Sequence, residues 1–177
     1  MTKSLAAELE LLANHMTSEN AGNQQLSIPA LAERIAKNLH VKPDEVAILL
    51  VSERHKNLQF LVPEALRNVG SIPLSSTSAL AARTARESRP DILNNFTAVR
   101  HATVFEGVKA DSLSAAAIQK IISAPILYEG KVIGVIQISR KAATVVEAGP
   151  DFTPDDLGKV LAICKPLGKL IRHAAKV

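Results

Sequence analysis

The sequence predicts an α+β domain built around a central antiparallel hairpin, and three sets of residues carry that expectation. The first is the run 120–140, KIISAPILYEGKVIGVIQISR. Its arms, Ile121 to Leu127 and Val132 to Ile138, are rich in β-branched residues and meet at Glu129-Gly130, a two-residue turn in which Gly130 takes positive φ. Neither arm alternates cleanly between apolar and polar residues, so both faces of the hairpin should be covered. Gly134, inside the second arm, marks a close backbone approach or a bulge. The second set is the run VAILLV ending at Val51, a central strand, followed after a polar turn by Leu58 to Val62 as its hairpin partner. The third is a pair of amphipathic helical patterns flanking the strands, so helices cover one face of the sheet and something else covers the other.

Size and composition fit one such domain. The chain has 177 residues, 47% of them hydrophobic, enough for one sizeable core and an extra terminal element. Its longest apolar run, Val46 to Val51, is far too short to cross a bilayer, and the acidic, amphipathic N-terminus is no secretory leader. The expected location is therefore cytoplasmic, with no membrane partner. One cysteine, Cys164, excludes an internal disulfide. His15, His40, His55, His101 and His173 make no local ligand pair, so no metal site is implied. The formal charge of +4 slightly favours anionic partners.

In chain order, Leu5, Leu9, Leu12 and Met16 form a narrow helical seam suited to helix pairing. Residues 17–26 are polar and read as a linker, which sets the expected division: 1–26 a helix and linker, 27–177 the domain. A second helix follows, with Ser27 as cap, Pro29 in the first turn and Ile28, Leu31, Ile35 and Leu39 buried. After the strand hairpin, Ser71 to Leu74 is a short strand, and Ser75-Ser76 caps a helix from about Thr77 to Glu87. Arg89-Pro90 ends it. Ile92 and Leu93 form a short strand, and Asn94 to Ala117 is an irregular passage of the kind that forms lids and binding loops. Thr153-Pro154-Asp155-Asp156 then starts a final helix with cap, first-turn proline and two carboxylates at its positive end. Its apolar stripe covers about half the circumference, more than docking on a sheet requires, and Pro166 predicts a kink.

This order of pieces resembles a GAF domain over about residues 27–176. The residues that carry the resemblance are Ser123-Ala124-Pro125-Ile126 to Gly130, Val132-Ile133-Gly134-Val135-Ile136, and Asp151-Phe152-Thr153-Pro154-Asp155-Asp156-Leu157. A weaker match is Leu74 to Asn94. The resemblance implies a six-stranded antiparallel sheet with helices on one face and a small-molecule pocket on the other. In the cyclic-nucleotide-binding members an Asn-Lys pair precedes Phe-x-x-x-Asp-Glu; here Arg140-Lys141 stands for the pair, Phe152 and Asp156 match, and Leu157 replaces Glu. Lys141 and Asp156 are then expected to form a structural ion pair, while two changed positions speak against a cyclic nucleotide. The bilin-binding branch attaches its pigment to a pocket cysteine, whereas Cys164 lies on the apolar stripe of the last helix and reads as core. The branch that reduces free methionine sulfoxide needs several cysteines.

The same resemblance places candidate pocket groups at Ser75, Ser76 and Thr77, Asn94 and Asn95, Arg100 and His101, and Gln137. Residues 76–79 could offer backbone amides to an anion. Blander roles stay open for each: helix capping for the serines, turns for the asparagines, solvated loop positions for Arg100 and His101. Gln137, between Ile136 and Ile138, must find a partner in protein or ligand. No nucleophile elbow, zinc-protease, phosphate-loop or dinucleotide pattern occurs, so no enzyme is expected. The arginines at 83, 86 and 89 and the basic residues of the last helix read as solvated faces, and few aromatics are present to stack bases, which speaks against nucleic acid. The expectation is a stand-alone sensory module of unknown ligand and cofactor that signals to an unknown regulatory protein and forms a homodimer through residues 4–16 and 154–176. The alternative is a scaffold with a collapsed pocket, serving only for dimerisation or docking.

Overall fold

The computed structural model describes residues 4–16, 28–67, 70–96 and 117–174. The linker at 17–26, the Ser27 cap, the Met16 side chain and most of the irregular passage after Asn94 lie outside the described residues. In chain order the elements are α1 (Leu5–Met16), α2 (Ile28–Asn38), β1 (Val46–Ser52), β2 (Asn57–Val62), β3 (Ser71–Pro73), α3 (Leu80–Glu87), β4 (Asp91–Leu93), β5 (Ile118–Tyr128), β6 (Lys131–Lys141) and α4 (Pro154–Ala174). The six strands make one antiparallel sheet in the order β3-β2-β1-β6-β5-β4.

The expected hairpin is the centre of that sheet. Tyr128 pairs with Lys131, and both residues between them have positive φ, Glu129 at 51° and Gly130 at 79°. Two successive left-handed residues match the right-handed twist of the arms. Gly134 fulfils its expectation of close approach: a Cβ there would lie 2.4 Å from the Leu49 carbonyl oxygen of β1.

Three helices cover one face. Leu31, Ile35 and Leu39 of α2, Leu9 and Ala13 of α1, and Val160, Ile163, Leu167 and Leu170 of α4 enclose Val46, Ile48, Ile122, Ala124, Ile126, Ile136 and Ile138 of the sheet. The α1 seam does pair helices, but within its own chain. Leu9 and Ala13 are fully buried, Leu5 and Leu12 pack partly against the same core, and Lys169 of α4 donates to Glu10. That internal contact also uses much of the wide α4 stripe. The last helix begins as expected: Thr153 Oγ1 accepts from the Asp156 amide at 3.2 Å and Asp156 Oδ2 from the Thr153 amide at 2.9 Å, a reciprocal cap. It continues through Pro166 to Ala174, because Cys164, Leu167 and Leu170 are buried on both sides of the proline.

The other face is not left to a pocket alone. The helix α3 lies across it, with Ala79, Ala81 and Ala82 packed against Ala47, Leu49, Leu58, Phe60 and Val135. Leu80 joins Phe96, Ile118 and Ile121 farther along.

Candidate functional site

Small residues let α3 approach the sheet closely enough for direct hydrogen bonds. Thr84 Oγ1 lies 2.7 Å from Ser123 Oγ of β5 and donates to the Leu80 carbonyl at 2.9 Å. Since that bond uses the Thr84 proton, Ser123 donates to Thr84, and Ser123 Oγ in turn accepts from Gln137 Nε2 of β6 at 3.2 Å. Thr84, Ser123 and Gln137 are 1%, 0% and 6% exposed, so a directed chain of neutral groups runs from β6 into α3 inside an apolar layer. It ends at the Gln137 side-chain amide, whose Oε1 accepts no hydrogen bond among the described residues. On the same helix Arg83 pairs with Asp91 of β4 at 2.8 Å, and among the described residues its buried Nε has no hydrogen-bond partner. The sequence left open whether protein or ligand would meet Gln137; Ser123 of β5 does so, and Thr84 of α3 bonds that serine in turn.

The remaining expected site residues fare differently. Helix α3 starts at Leu80 after an Ala79 cap without a side-chain bond, three residues later than the serines suggest. Ser75 and Thr77 are exposed and Ser76 half-buried. Ser76 Oγ accepts from the Ala79 amide at 3.1 Å, the Ser76 amide donates to Pro73, and Arg86 binds the Leu74 and Ser76 carbonyls. The serines therefore build a turn braced by Arg86, and amides 76 and 79 are not free for an anion. Asn94 is a clamp rather than a pocket group: its amide accepts from the Phe152 N–H at 2.8 Å and donates to the Phe152 carbonyl at 3.0 Å, as a peptide unit would. Asn95 is exposed. Arg100 and His101 lie outside the described residues.

The expected ion pair between Lys141 and Asp156 is not made. Asp156 is committed to its helix cap, while Lys141 Nζ donates to the Asp44 carbonyl at 3.3 Å and the Lys141 amide to Glu45 Oε2 at 2.6 Å. A different lysine fastens the sheet to the loop before α4. Lys120, with 5% of its side chain exposed, binds Asp151 Oδ1 and the Gly149 carbonyl, each at 2.7 Å. Phe152 is buried under Arg140, whose guanidinium stands 4.7 Å from the ring centroid. Lys120 had a visible signal, a lone charge in an apolar strand, which must be paired if buried. Thr84 and Ser123 had none beyond their small size.

Among the described residues, no group of three metal-ligating side chains occurs, and no helix is long and apolar enough to cross a membrane. Cys164 is a core residue as expected, and burial pushes its thiol up to about 12.

The family model for the GAF domain matches residues 27–171. The chain belongs to the GAF domain family. The match leaves out α1, although that helix shares the core of the GAF domain. Among curated proteins, none matches the chain. Solved structures do, GAF domains among them. The GAF domain from an Acinetobacter phosphoenolpyruvate-protein phosphotransferase is 20% identical over 100% of this chain and 98% of that one, with a TM-score of 0.67. Residues 122 to 287 of a methyl-accepting chemotaxis protein are 13% identical over 93% and 96%, with a TM-score of 0.60. A type II free methionine-R-sulfoxide reductase from Thermoplasma acidophilum is 15% identical over 93% and 94%, with a TM-score of 0.54. At these identities the likeness is one of fold, and it extends to a chemotaxis protein and a methionine sulfoxide reductase alike.

Proposed function

We propose that this chain is a regulatory GAF module that holds a small molecule between α3 and the sheet and passes its presence on through protein contacts. The observation that supports this is the buried chain Gln137–Ser123–Thr84. A layer needed only for packing would be better filled by alanine and valine, since buried polar groups cost free energy unless each is bonded. The open acceptor, Gln137 Oε1, suits a neutral ligand that offers an N–H or O–H. Copies would associate through the outer faces of α1 and α4, where Leu11 and Leu161 remain 45% and 42% exposed. Catalysis is not part of the proposal: the one cysteine is buried with its thiol pushed up to about 12, whereas sulfoxide reduction was expected to need several.

The 2.7 Å contact between Thr84 and Ser123 favours a second reading, in which α3 has closed the pocket for good and the domain only docks or dimerises. A thermal-shift screen against nucleobases, amides, amino acids, organic acids and tetrapyrroles separates the two. A ligand at a hundred times its dissociation constant adds about 2.7 kcal/mol, which for a chain of this size raises the midpoint by roughly 5 to 10 degrees. The sensory reading expects such a shift within one chemical class and its loss in Gln137→Leu. A flat screen, with no bound molecule released on denaturation, decides for the docking module.

A further inference from the structure

The turn end of the sheet carries a concavity on the α4 side, across the sheet from the Gln137 cluster. Leu50, Val51, Tyr128, Val132, Ile133 and Ile171 line a cleft of ≈390 Å³, within the range of about 300–1,000 Å³ that accommodates small molecules. Its rim is charged by Glu53, Glu129, Lys131 and Arg172. Lys131 is ion-paired with Glu53 and is the main reason that the Glu53 carboxyl lies below its ordinary range, with Lys56 and Arg172 acting in the same direction. The Glu53 carboxylate is thus already neutralised by a lysine.

Arg172 is different. Its guanidinium stands 5.9 Å from the Tyr128 ring centroid, and among the described residues no hydrogen bond or ion pair occupies its donors. An arginine laid over an aromatic face keeps its planar fork oriented, and that fork matches a carboxylate with two parallel hydrogen bonds. Lys131 is taken up by Glu53, which leaves Arg172 as the lining cation outside an ion pair, with Glu129 also on the rim. One carboxylate can pair with Arg172, whereas the second charge of a phosphate monoester would face Glu53 and Glu129.

We propose that this cleft binds a small amphipathic monocarboxylate, its carboxylate held by Arg172 and its apolar body lying over Leu50, Ile133 and Ile171. The site is separate from the one between α3 and the sheet, so it stands whether or not that one is occupied.

The chain has one tyrosine and no tryptophan, so its intrinsic emission reports on Tyr128, in the wall of this cleft. Titration of the full chain with octanoate should give a saturable change in tyrosine emission, and octanamide, which has the same body without the charge, should bind about tenfold more weakly or worse, as expected for losing a charge-assisted bond. Arg172→Gln, at an exposed position, should keep the fold by circular dichroism and bring octanoate down to the affinity of octanamide. No saturable change up to about 10 mM octanoate, ample for a millimolar site, overturns the proposal. So does equal binding of octanoate and octanamide by the unaltered chain, or an Arg172→Gln variant that binds octanoate unchanged.

Discussion

Asn94 shows how much one side chain can hold. Its two bonds to the Phe152 backbone tie the end of β4 to the segment that leads into α4. Each such bond contributes about 0.5–1.5 kcal/mol, and Asn94→Ala also strands a donor and an acceptor, so a loss of about 1–3 kcal/mol is expected in urea denaturation. An Asn94→Ala variant as stable as the parent would show that Phe152 does not need the clamp. Cys164 gives a prediction in pH. Burial raises its thiol from 9.0 to about 12 in the folded chain, so between those values the unfolded chain releases a proton that the native one keeps. Stability from this group is therefore intact below pH 9.0 and falls as pH rises above it, by about 1.4 kcal/mol per unit. Between pH 8 and 10 the parent should lose about 1.4 kcal/mol more than Cys164→Ala; parallel losses would mean that the native thiol ionises normally.

At the level of the element, α1 is part of the core although the GAF match begins after it. Leu9→Ala should cost about 2–5 kcal/mol, the usual cost of truncating a buried leucine, while Leu11→Ala, on the outer side of the same helix, should stay within about 0.5 kcal/mol. A Leu9→Ala variant that unfolds at the parent's denaturant midpoint would show that α1 packs only loosely. The strands and most helices were legible in the sequence because their signals are local: a β-branched run around Glu-Gly, a stripe at helical spacing, Thr-Pro-Asp-Asp before α4. The start of α3 was misread because Ser75 to Thr77 carry capping chemistry, and what sets the turn is Arg86 reaching back from the far end of the helix. The site was less legible still. Thr84 meets Ser123 across 39 positions and Asn94 meets Phe152 across 58, and no local pattern records such meetings. The α1 seam announced helix pairing but not with which helix.

For the whole molecule, the proposed association between copies has a direct test. Light scattering coupled to size exclusion should give a dimer at tens of micromolar, roughly where a regulatory dimer persists, and Leu161→Asp with Leu11→Asp should convert it to a folded monomer. A parent chain that is monomeric there removes the dimer from the proposal and leaves the pocket untouched. The strand order carries another consequence. Strands β1 to β3 form one meander and β4 to β6 another, and the two join only where β1 pairs with β6. On the ribosome, Ala47 and Leu49 must therefore wait for Gln137 and Val135 to be synthesised before their strand gains its second neighbour. Closure of that seam is a long-range, entropically slow event, and until it happens β1 has a bare apolar edge that a nascent chain must keep from its neighbours.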